Sequence, residues 1–173
     1  YEVIVGERRV KASKAAGLKK VPAIVRDIKD DQALEMMLIE NIQREDLSDV
    51  EKGSLVNQLM QKFPKKYPSH DVVASRVGVT RPTISKWVET VKEVPKEMHK
   101  LIAPAEPTTG KIPKGKISAE AARIITRKVK QPEKAVRLAK EVARRGVPRQ
   151  VLTKVVKKVS LEPEKPVREV FKE

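Results

Sequence analysis

The first 46 residues combine short apolar runs with segments whose apolar residues have helical spacing. YEVIV and VPAIVRDI predict two strands, and Gly6 ends the first of them. RRVKASKAA has helical character and is followed by Gly17 at a C-cap position, and a second helix is expected from Gln32 to about Arg44. The pattern therefore predicts an α/β portion over residues 1–46. Because YEVIV reads as the interior of a strand, the chain is expected to be part of a longer protein.

From residue 47 onward the apolar residues have helical spacing throughout. Ser48 and Glu51 form an S-x-x-E capping box, and Ser118 and Pro132 begin two later helices. The last helix is expected to bury five apolar side chains: Val151, Leu152, Val155, Val156 and Val159.

Two segments rich in proline and lysine interrupt this pattern. APAEPTTGKIPKGK, at residues 103–116, predicts a flexible linker, and SLEPEKPVREVFKE predicts a tail. The predicted fold class is mainly α, with a small N-terminal α/β portion (1–46), an all-helical domain (47–160) and a linker or tail (161–173).

Charge is distributed unevenly along the 173 residues, whose net charge is +15. Residues 1–110 carry 19 basic and 16 acidic side chains, whereas residues 111–173 carry 19 basic and only 7 acidic ones. A basic half favours a polyanionic partner, although a lysine-rich solvated surface is the simpler interpretation. The chain has no cysteine, no run of membrane-spanning length and no signal peptide, so a cytoplasmic protein without membrane contact is expected.

Residues 70–89, HDVVASRVGVTRPTISKWVE, have the spacing of a DNA-binding helix-turn-helix. Ala74 provides the small residue where two helices cross, Gly78 permits the positive φ of the turn, and Ile84 locks the second helix onto the first. The predicted DNA-facing residues are those that this burial leaves outside: Thr80, Arg81, Thr83, Ser85 and Lys86. Arg81 is the candidate for bidentate contact with guanine. An ordinary helical hairpin is the alternative.

A second candidate site combines GERR at 6–9 with IENIQRED at 39–46. Leu34, Leu38 and Ile42 share one face of the predicted helix, and Glu40, Asn41 and Arg44 share an arc of about 100°. A Glu40–Arg44 salt bridge would be the simplest explanation, but it leaves Asn41 without a role. A glycine before a helix that opens with arginines is typical of phosphate binding, although an ion pair of Glu7 is the common alternative.

In combination, VGERRVKASKAAGLKKVPAIVRD, ALEMMLIENIQREDLSDVEK and GVTRPTISKWV resemble ParB-type partition proteins. GKISAEAARIITRK and RRGVPRQVLTKVVKK resemble further helices of that family, so the likeness covers roughly residues 1–160. It implies a ParB/sulfiredoxin-like fold for the N-terminal portion.

The resemblance also implies a function. Such proteins bind a centromere-like site on double-stranded DNA, bind CTP with Mg²⁺, form a dimeric clamp that slides on DNA, and work with a ParA-type ATPase in plasmid or chromosome segregation. Carried over by residue, Gly6, Arg8, Arg9, Asn41 and Arg44 would bind the nucleotide. Glu40 and Asn41 would hold the metal, and Glu40 is the candidate catalytic residue for slow CTP hydrolysis. The protein would then be associated with the nucleoid or a plasmid.

Some features depart from the family pattern. The family's first strand and its ATPase-stimulating arginine segment have no counterpart, and EAAR at 120–123 stands where Gly-His-Ala-Arg is common. A helix-turn-helix transcription regulator without a nucleotide switch is the main alternative. The absence of cysteine argues against a sulfiredoxin-like thiol reductase.

Overall fold

The structure, a computed structural model, describes residues 1–106, 109–162 and 164–171. These described residues form ten helices: α1 (Glu7–Ala15), α2 (Asp30–Gln43), α3 (Asp49–Lys62), α4 (His70–Val77), α5 (Arg81–Glu93), α6 (Lys96–His99), α7 (Ala119–Lys128), α8 (Pro132–Arg145), α9 (Arg149–Leu161) and α10 (Val167–Val170). The predicted mainly helical fold class is confirmed.

The two predicted N-terminal strands do not form. Residues 1–5 and 20–29 are not assigned to strands, and the only β-bridge among the described residues joins Ile102 to Ile117. A strand needs a neighbour for its backbone N–H and C=O groups, and neither segment has one in the described part of the chain. The α/β character expected for residues 1–46 was therefore wrong for this structure, in which α1 and α2 are the regular elements of that portion.

Helices α2 to α5 enclose one apolar core, here called the α2–α5 core. Its fully buried members include Val56 and Leu59 of α3, Val73 of α4 and Ile84 of α5. The face of α2 predicted from its spacing is confirmed, since Leu38 and Ile42 are buried and Leu34 packs beside them. Helix α2 thus packs with the helical region, across the boundary proposed at residue 46.

The close packing of α3 against α5 depends on a glycine. A Cβ atom added at Gly53 would lie 2.3 Å from the carbonyl oxygen of Trp87. Lys52, the preceding residue, places its ammonium 5.2 Å from the centre of the Trp87 ring. The backbone of α5 therefore lies directly against that of α3.

Helices α6 to α10 enclose a second core, here called the α6–α10 core, which also takes in Val50 and Val94. The expected buried face of α9 is confirmed for Leu152, Val155, Val156 and Val159, but Val151 is 45% exposed and was assigned wrongly. On an ideal helix it lies about 90° from the centre of the stripe that the four buried residues form, at the edge of that stripe.

Two segments expected to be irregular make defined contacts. The ends of the proline-rich segment are joined, since Ile117 N–H donates to the Leu101 carbonyl at 2.8 Å and Ala103 N–H to the Ile117 carbonyl at 3.1 Å. Residues 107–108 of that segment, and residues 163 and 172–173 of the tail, lie outside the described residues. Within the tail, α10 buries Val167 and Val170 in the α6–α10 core.

Polar side chains cap the starts of helices and connect the two cores. The capping box of Ser48 and Glu51 and the cap of Ser118 on α7 are both confirmed. Arg123 of α7 bonds Glu89 at 3.2 Å and Glu93 at 3.3 Å, both on α5.

None of the helices in the described part of the chain combines the length and apolar character needed to cross a bilayer.

Candidate functional site

A cleft of about 760 Å³ lies between α1, the second half of α2 and the segment that follows α6. Its walls carry all six residues predicted for a nucleotide site: Gly6, Arg8, Arg9, Glu40, Asn41 and Arg44. The opposite wall is formed by residues 103–106 and Pro113. Residues more than 30 positions apart in the chain are thus brought to one cleft.

The α1 wall begins at Gly6, which has a left-handed φ of 93° and caps the helix without a side chain. A Cβ atom at this position would lie 3.2 Å from the guanidinium of Arg9 and would also be strained by the positive φ. Glycine therefore lets the backbone enter α1 while Arg9 folds back toward the cleft. Glu7 forms its ion pair with Lys11, at 2.5 Å, and not with the arginines of α1.

The α2 wall carries a set of side chains joined by hydrogen bonds. Arg44 forms two bonds to Asp46, from Nε to Oδ1 at 3.0 Å and from Nη2 to Oδ2 at 2.7 Å, and Arg8 Nη1 lies 3.7 Å from the same carboxylate. The hydrogen bond from Arg44 lowers the pKa of Asp46 to about 2. The Glu40–Arg44 salt bridge considered as the simplest explanation is not recorded among the described residues, since the guanidinium fork is turned to Asp46.

Oxygen ligands for a cation are present but few. Asn41 donates its amide N–H to the Met37 carbonyl at 2.9 Å, and this bond leaves its Oδ1 facing Arg44 at 3.5 Å. Glu40 lines the cleft one residue earlier. The described residues contain no group of three or more His, Cys, Asp or Glu side chains that could hold a metal unaided. A cation here would need oxygen atoms from its nucleotide, as Mg²⁺ commonly does.

The α4–α5 pair has the local geometry that the spacing predicts. Ala74 and Ile84 are buried at the crossing, and Gly78 takes a φ of 83° between the helices. Its N–H and that of Val79 both donate to the Ala74 carbonyl, at 2.9 and 3.0 Å. Thr80 stands at the N-cap of α5, but its hydroxyl bonds the hydroxyl of Thr83 at 2.9 Å and does not cap the backbone.

The five predicted DNA-facing residues differ in their solvent exposure and in their side-chain partners. Thr80, Arg81 and Lys86 are exposed, and Thr83 and Ser85 are half-buried. Ser85 Oγ lies 3.0 Å from Nδ1 of His70, the first residue of α4. Arg81 Nε lies 3.3 Å from Asp71 Oδ2, and Lys86 Nζ lies 2.9 Å from Asp49 Oδ2. Both cations therefore already have carboxylate partners.

The other side of α2 touches the α4–α5 region. Glu35 is buried, accepts hydrogen bonds from Lys66 Nζ at 2.6 Å and from the Tyr67 hydroxyl, and so ties α2 to the segment before α4. Near the other end of α2, Gln43 Nε2 donates to the Val77 carbonyl at 3.2 Å, next to the Gly78 turn. One helix thus lines the cleft with one face and contacts the turn with the other.

Sequence reasoning missed four acidic residues that matter to these sites: Glu35, Asp46, Asp49 and Asp71. The only local signal was that Asp46 follows Arg44 by two residues. The partners of the other three lie on different segments of the chain, so helical spacing gives no sign of them.

The chain is similar to proteins of known family over most of its length. Residues 1–42 match the ParB N-terminal domain. The chromosome-partitioning protein ParB of Myxococcus xanthus is 37% identical over 143 residues, 83% of this chain and 43% of that protein. The chromosome-partitioning protein Spo0J of Thermus thermophilus is 34% identical over 147 residues, 85% of this chain and 48% of that protein. The chain therefore spans less than half the length of these relatives.

A solved structure gives the same assignment. The C-terminally truncated chromosome-partitioning protein ParB of Caulobacter crescentus, crystallised with the centromeric parS site, matches with a TM-score of 0.59 and 28% identity. The match covers 91% of this chain and 75% of that one. Together with the match of residues 1–42, these similarities confirm the resemblance to ParB-type partition proteins.

Proposed function

We propose that the chain binds a centromere-like site on double-stranded DNA through α4 and α5 and acts in chromosome or plasmid segregation. The observation that carries the proposal is the α4–α5 pair, in which a buried crossing at Ala74 and Ile84 leaves the first turn of α5 exposed. A helix supported in this way can enter the major groove and read bases from its N-terminal residues. The similarity to a ParB crystallised with parS supports parS as the first DNA to test.

Arg81→Ala tests this function. Arg81 is in the first turn of α5, and a bidentate contact with guanine is worth about 1–3 kcal/mol of discrimination. The variant is expected to lose preference for a parS duplex over a shuffled duplex in fluorescence anisotropy, while keeping most of its salt-dependent binding to the shuffled duplex. Arg149→Ala, on the basic α9, is the matched control and should weaken both duplexes alike. Equal losses for Arg81→Ala would make it a phosphate contact only.

The finer part of the proposal is a CTP switch at the cleft. Three arginines, Arg8, Arg9 and Arg44, give the cleft the charge that a triphosphate needs, and about 760 Å³ is room for a nucleotide. Asp46 bonds Arg44 as a phosphate oxygen would, so the guanidinium is already oriented for an anion.

The residues present also fit Mg²⁺, provided that the nucleotide completes its coordination. The Glu40 carboxylate and the Asn41 amide oxygen are hard oxygen donors of the kind Mg²⁺ takes, and Asn41 is oriented by its bond to Met37. The cation would supply charge neutralisation for the phosphates. Glu40 is the candidate catalytic residue for any slow hydrolysis, in the role of positioning or deprotonating water.

Isothermal titration of the chain with CTP, UTP, ATP and GTP, each with Mg²⁺, tests the switch. Binding of CTP alone, abolished by Asn41→Ala and retained by the control Asn57→Ala on α3, is the expected result. A folded chain that binds none of the four would favour the second candidate, a helix-turn-helix transcription regulator without nucleotide switching. The α4–α5 pair alone would suffice for that function.

The remaining parts of the proposal rest on the resemblance alone. They are closure of a homodimer into a clamp that slides on DNA, and partnership with a ParA-type ATPase. Cross-linking of engineered cysteines with and without CTP and parS would test the clamp, and stimulation of ATP hydrolysis by a ParA-type ATPase would test the partnership.

A further inference from the structure

His70, the first residue of α4, contacts the outward side of α5. Its ring Nδ1 lies 3.0 Å from Oγ of Ser85, one of the five predicted DNA-facing residues. Both side chains are half-buried, and within the described part of the chain the second ring nitrogen, Nε2, has no hydrogen-bond partner. The ring is therefore held on one side by α5 and keeps one nitrogen available for a ligand.

The contact with Ser85 places the ring at the edge of the surface proposed to face DNA. Ser85 shares a face of α5 with Arg81, which lies four residues earlier in the first turn of that helix. When the second helix of such a pair enters the major groove, the first helix crosses the phosphate backbone. A side chain that belongs to the first helix and touches the outward side of the second therefore lies where a phosphate would pass.

We infer that His70 is a DNA-backbone contact that binds a phosphate in its protonated form, so that the affinity for DNA rises as pH falls. The inference rests on the proposed function of α4 and α5. It deepens that function by adding a phosphate contact on α4, and with it a dependence on pH, to the contacts assigned to α5.

Protonation changes what the ring offers to a phosphate. A neutral imidazole has one N–H donor, and the tautomer decides which nitrogen carries it. In an imidazolium both nitrogens donate, so Nδ1–H can donate to Ser85 Oγ while Nε2–H donates to a phosphate oxygen, and the ring adds a positive charge. A phosphate beside the ring in turn favours the charged form. DNA binding and proton uptake by His70 are therefore linked, and each strengthens the other.

The charged groups around this contact keep their charges in the pH range in which histidine ordinarily changes its own. Carboxylates, lysines and arginines stay ionised between pH 6 and pH 8. The charged side chains nearest to the contact along α4 and α5, together with the buried Glu35 of α2, are moreover held in ion pairs. These pairs are Arg81–Asp71, Lys86–Asp49, Glu89–Arg123 and Glu35–Lys66.

The chain provides its own control, because it has only two histidines. His99 lies on α6, where its Nε2 bonds the Val94 carbonyl at 2.9 Å, and it makes no contact with α4 or α5 that resembles the His70–Ser85 bond. A dependence of DNA affinity on pH that disappears with His70 and persists without His99 therefore belongs to the contact on α4.

The test compares His70→Gln with the matched control His99→Gln. Glutamine keeps a donor and an acceptor for Ser85 but does not take up a proton. Fluorescence anisotropy would measure Kd for a parS duplex and for a shuffled duplex at pH 6 and at pH 8, each over a series of salt concentrations. Circular dichroism at both pH values would establish that each variant is folded.

Between pH 8 and pH 6, wild type and His99→Gln are expected to bind both duplexes about 3–10-fold more tightly, and His70→Gln is expected to lose most of this gain. The slope of log Kd against log salt should also be steeper at pH 6 by up to about one for wild type, because an added phosphate contact releases a counterion. For His70→Gln the slope should be the same at both pH values.

Two results would overturn the inference while the proposed function stands. In the first, wild type prefers parS but His70→Gln gains as much affinity at pH 6 as wild type does. In the second, the gain is lost in His70→Gln but the salt dependence of wild type is the same at both pH values, which would make His70 a link between α4 and α5 only. If wild type binds neither duplex, the proposed function fails and the inference fails with it.

Discussion

The α4–α5 region and the N-terminal residues 1–29 differ in what holds their candidate functional side chains in position. The α4–α5 pair stands on a core in which Val73 and Ile84 are fully buried. Helix α1 has no buried residue, and Ile24 is 85% exposed. Burial of apolar side chains determines where the predicted DNA-facing residues lie, whereas charge pairing and one left-handed glycine determine the arginine wall of the cleft. Packing gives α4–α5 the more rigid site.

The largest expected difference between the regions comes from one substitution made in each. Ile84→Ala removes a fully buried side chain from the α2–α5 core and is expected to lower the free energy of unfolding by about 4 kcal/mol. Ile24→Ala, at an exposed position, should change it by no more than about 0.5 kcal/mol. Urea unfolding followed by circular dichroism measures both. Similar losses would mean that residues 1–29 contribute a core of their own.

Gly53→Ala should have the next largest effect, because it acts through backbone contact. Its added methyl group would lie 2.3 Å from the Trp87 carbonyl oxygen and force α3 and α5 apart. We expect a loss of about 3 kcal/mol in unfolding free energy, and weaker parS binding because α5 moves. Gln58→Ala, on the exposed side of α3, is the control. A stable Gly53→Ala protein would show that the α3–α5 contact is looser.

Glu35 ties α2 to the segment before α4 through hydrogen bonds from Lys66 and Tyr67, and this contact is expected to depend on pH. Burial alone would raise its pKa, but the hydrogen bonds from Lys66 and Tyr67 outweigh burial and hold it below the ordinary value of 4.5. A lowered pKa in the folded state means that the stabilisation is fully present above the unfolded value and is lost as pH falls through the folded one. Glu35→Gln should therefore cost about 1–2 kcal/mol at pH 7, and less as pH approaches 3.

The measurement for Glu35 is a set of urea unfolding curves for wild type and Glu35→Gln between pH 7 and pH 3. A stability gap that narrows with acidification agrees with an ionised Glu35 in the folded protein. A constant gap would assign the loss to packing alone.

Asp46→Asn should have the smallest effect on stability, about 1 kcal/mol or less, because Asp46 is 53% exposed and its ion pairs are screened by water. Its effect on the cleft should be larger, since Arg44 and Arg8 would lose a competing anion. Titration calorimetry is expected to show several-fold tighter binding of CTP with Mg²⁺. Weaker binding would mean that Asp46 is needed to orient Arg44 and does not compete with phosphate.

Local pattern was enough to predict the helices and their buried faces. Capping residues such as Ser48, the left-handed Gly78 and the stripe that contains Leu38 and Ile42 all act within one or two helical turns, and that distance is visible in a sequence. The residues of the cleft could be nominated for the same reason. Their chemical partners could not, because helical spacing offers Glu40 as a partner for Arg44, whereas Arg44 bonds Asp46, which follows the helix.

The sequence by itself therefore determined the helical fold class, the α4–α5 pair and a group of phosphate-binding candidates, because these follow from short-range periodicity and residue chemistry. Tertiary structure alone decided that residues 1–5 and 20–29 do not pair as strands and that α10 packs on its own chain. It also decided that Asp49, Asp71 and Glu35 meet cations from other segments. Each of these outcomes depends on which distant segment of the chain comes within about 4 Å of the residue, and helical spacing gives no information on that distance.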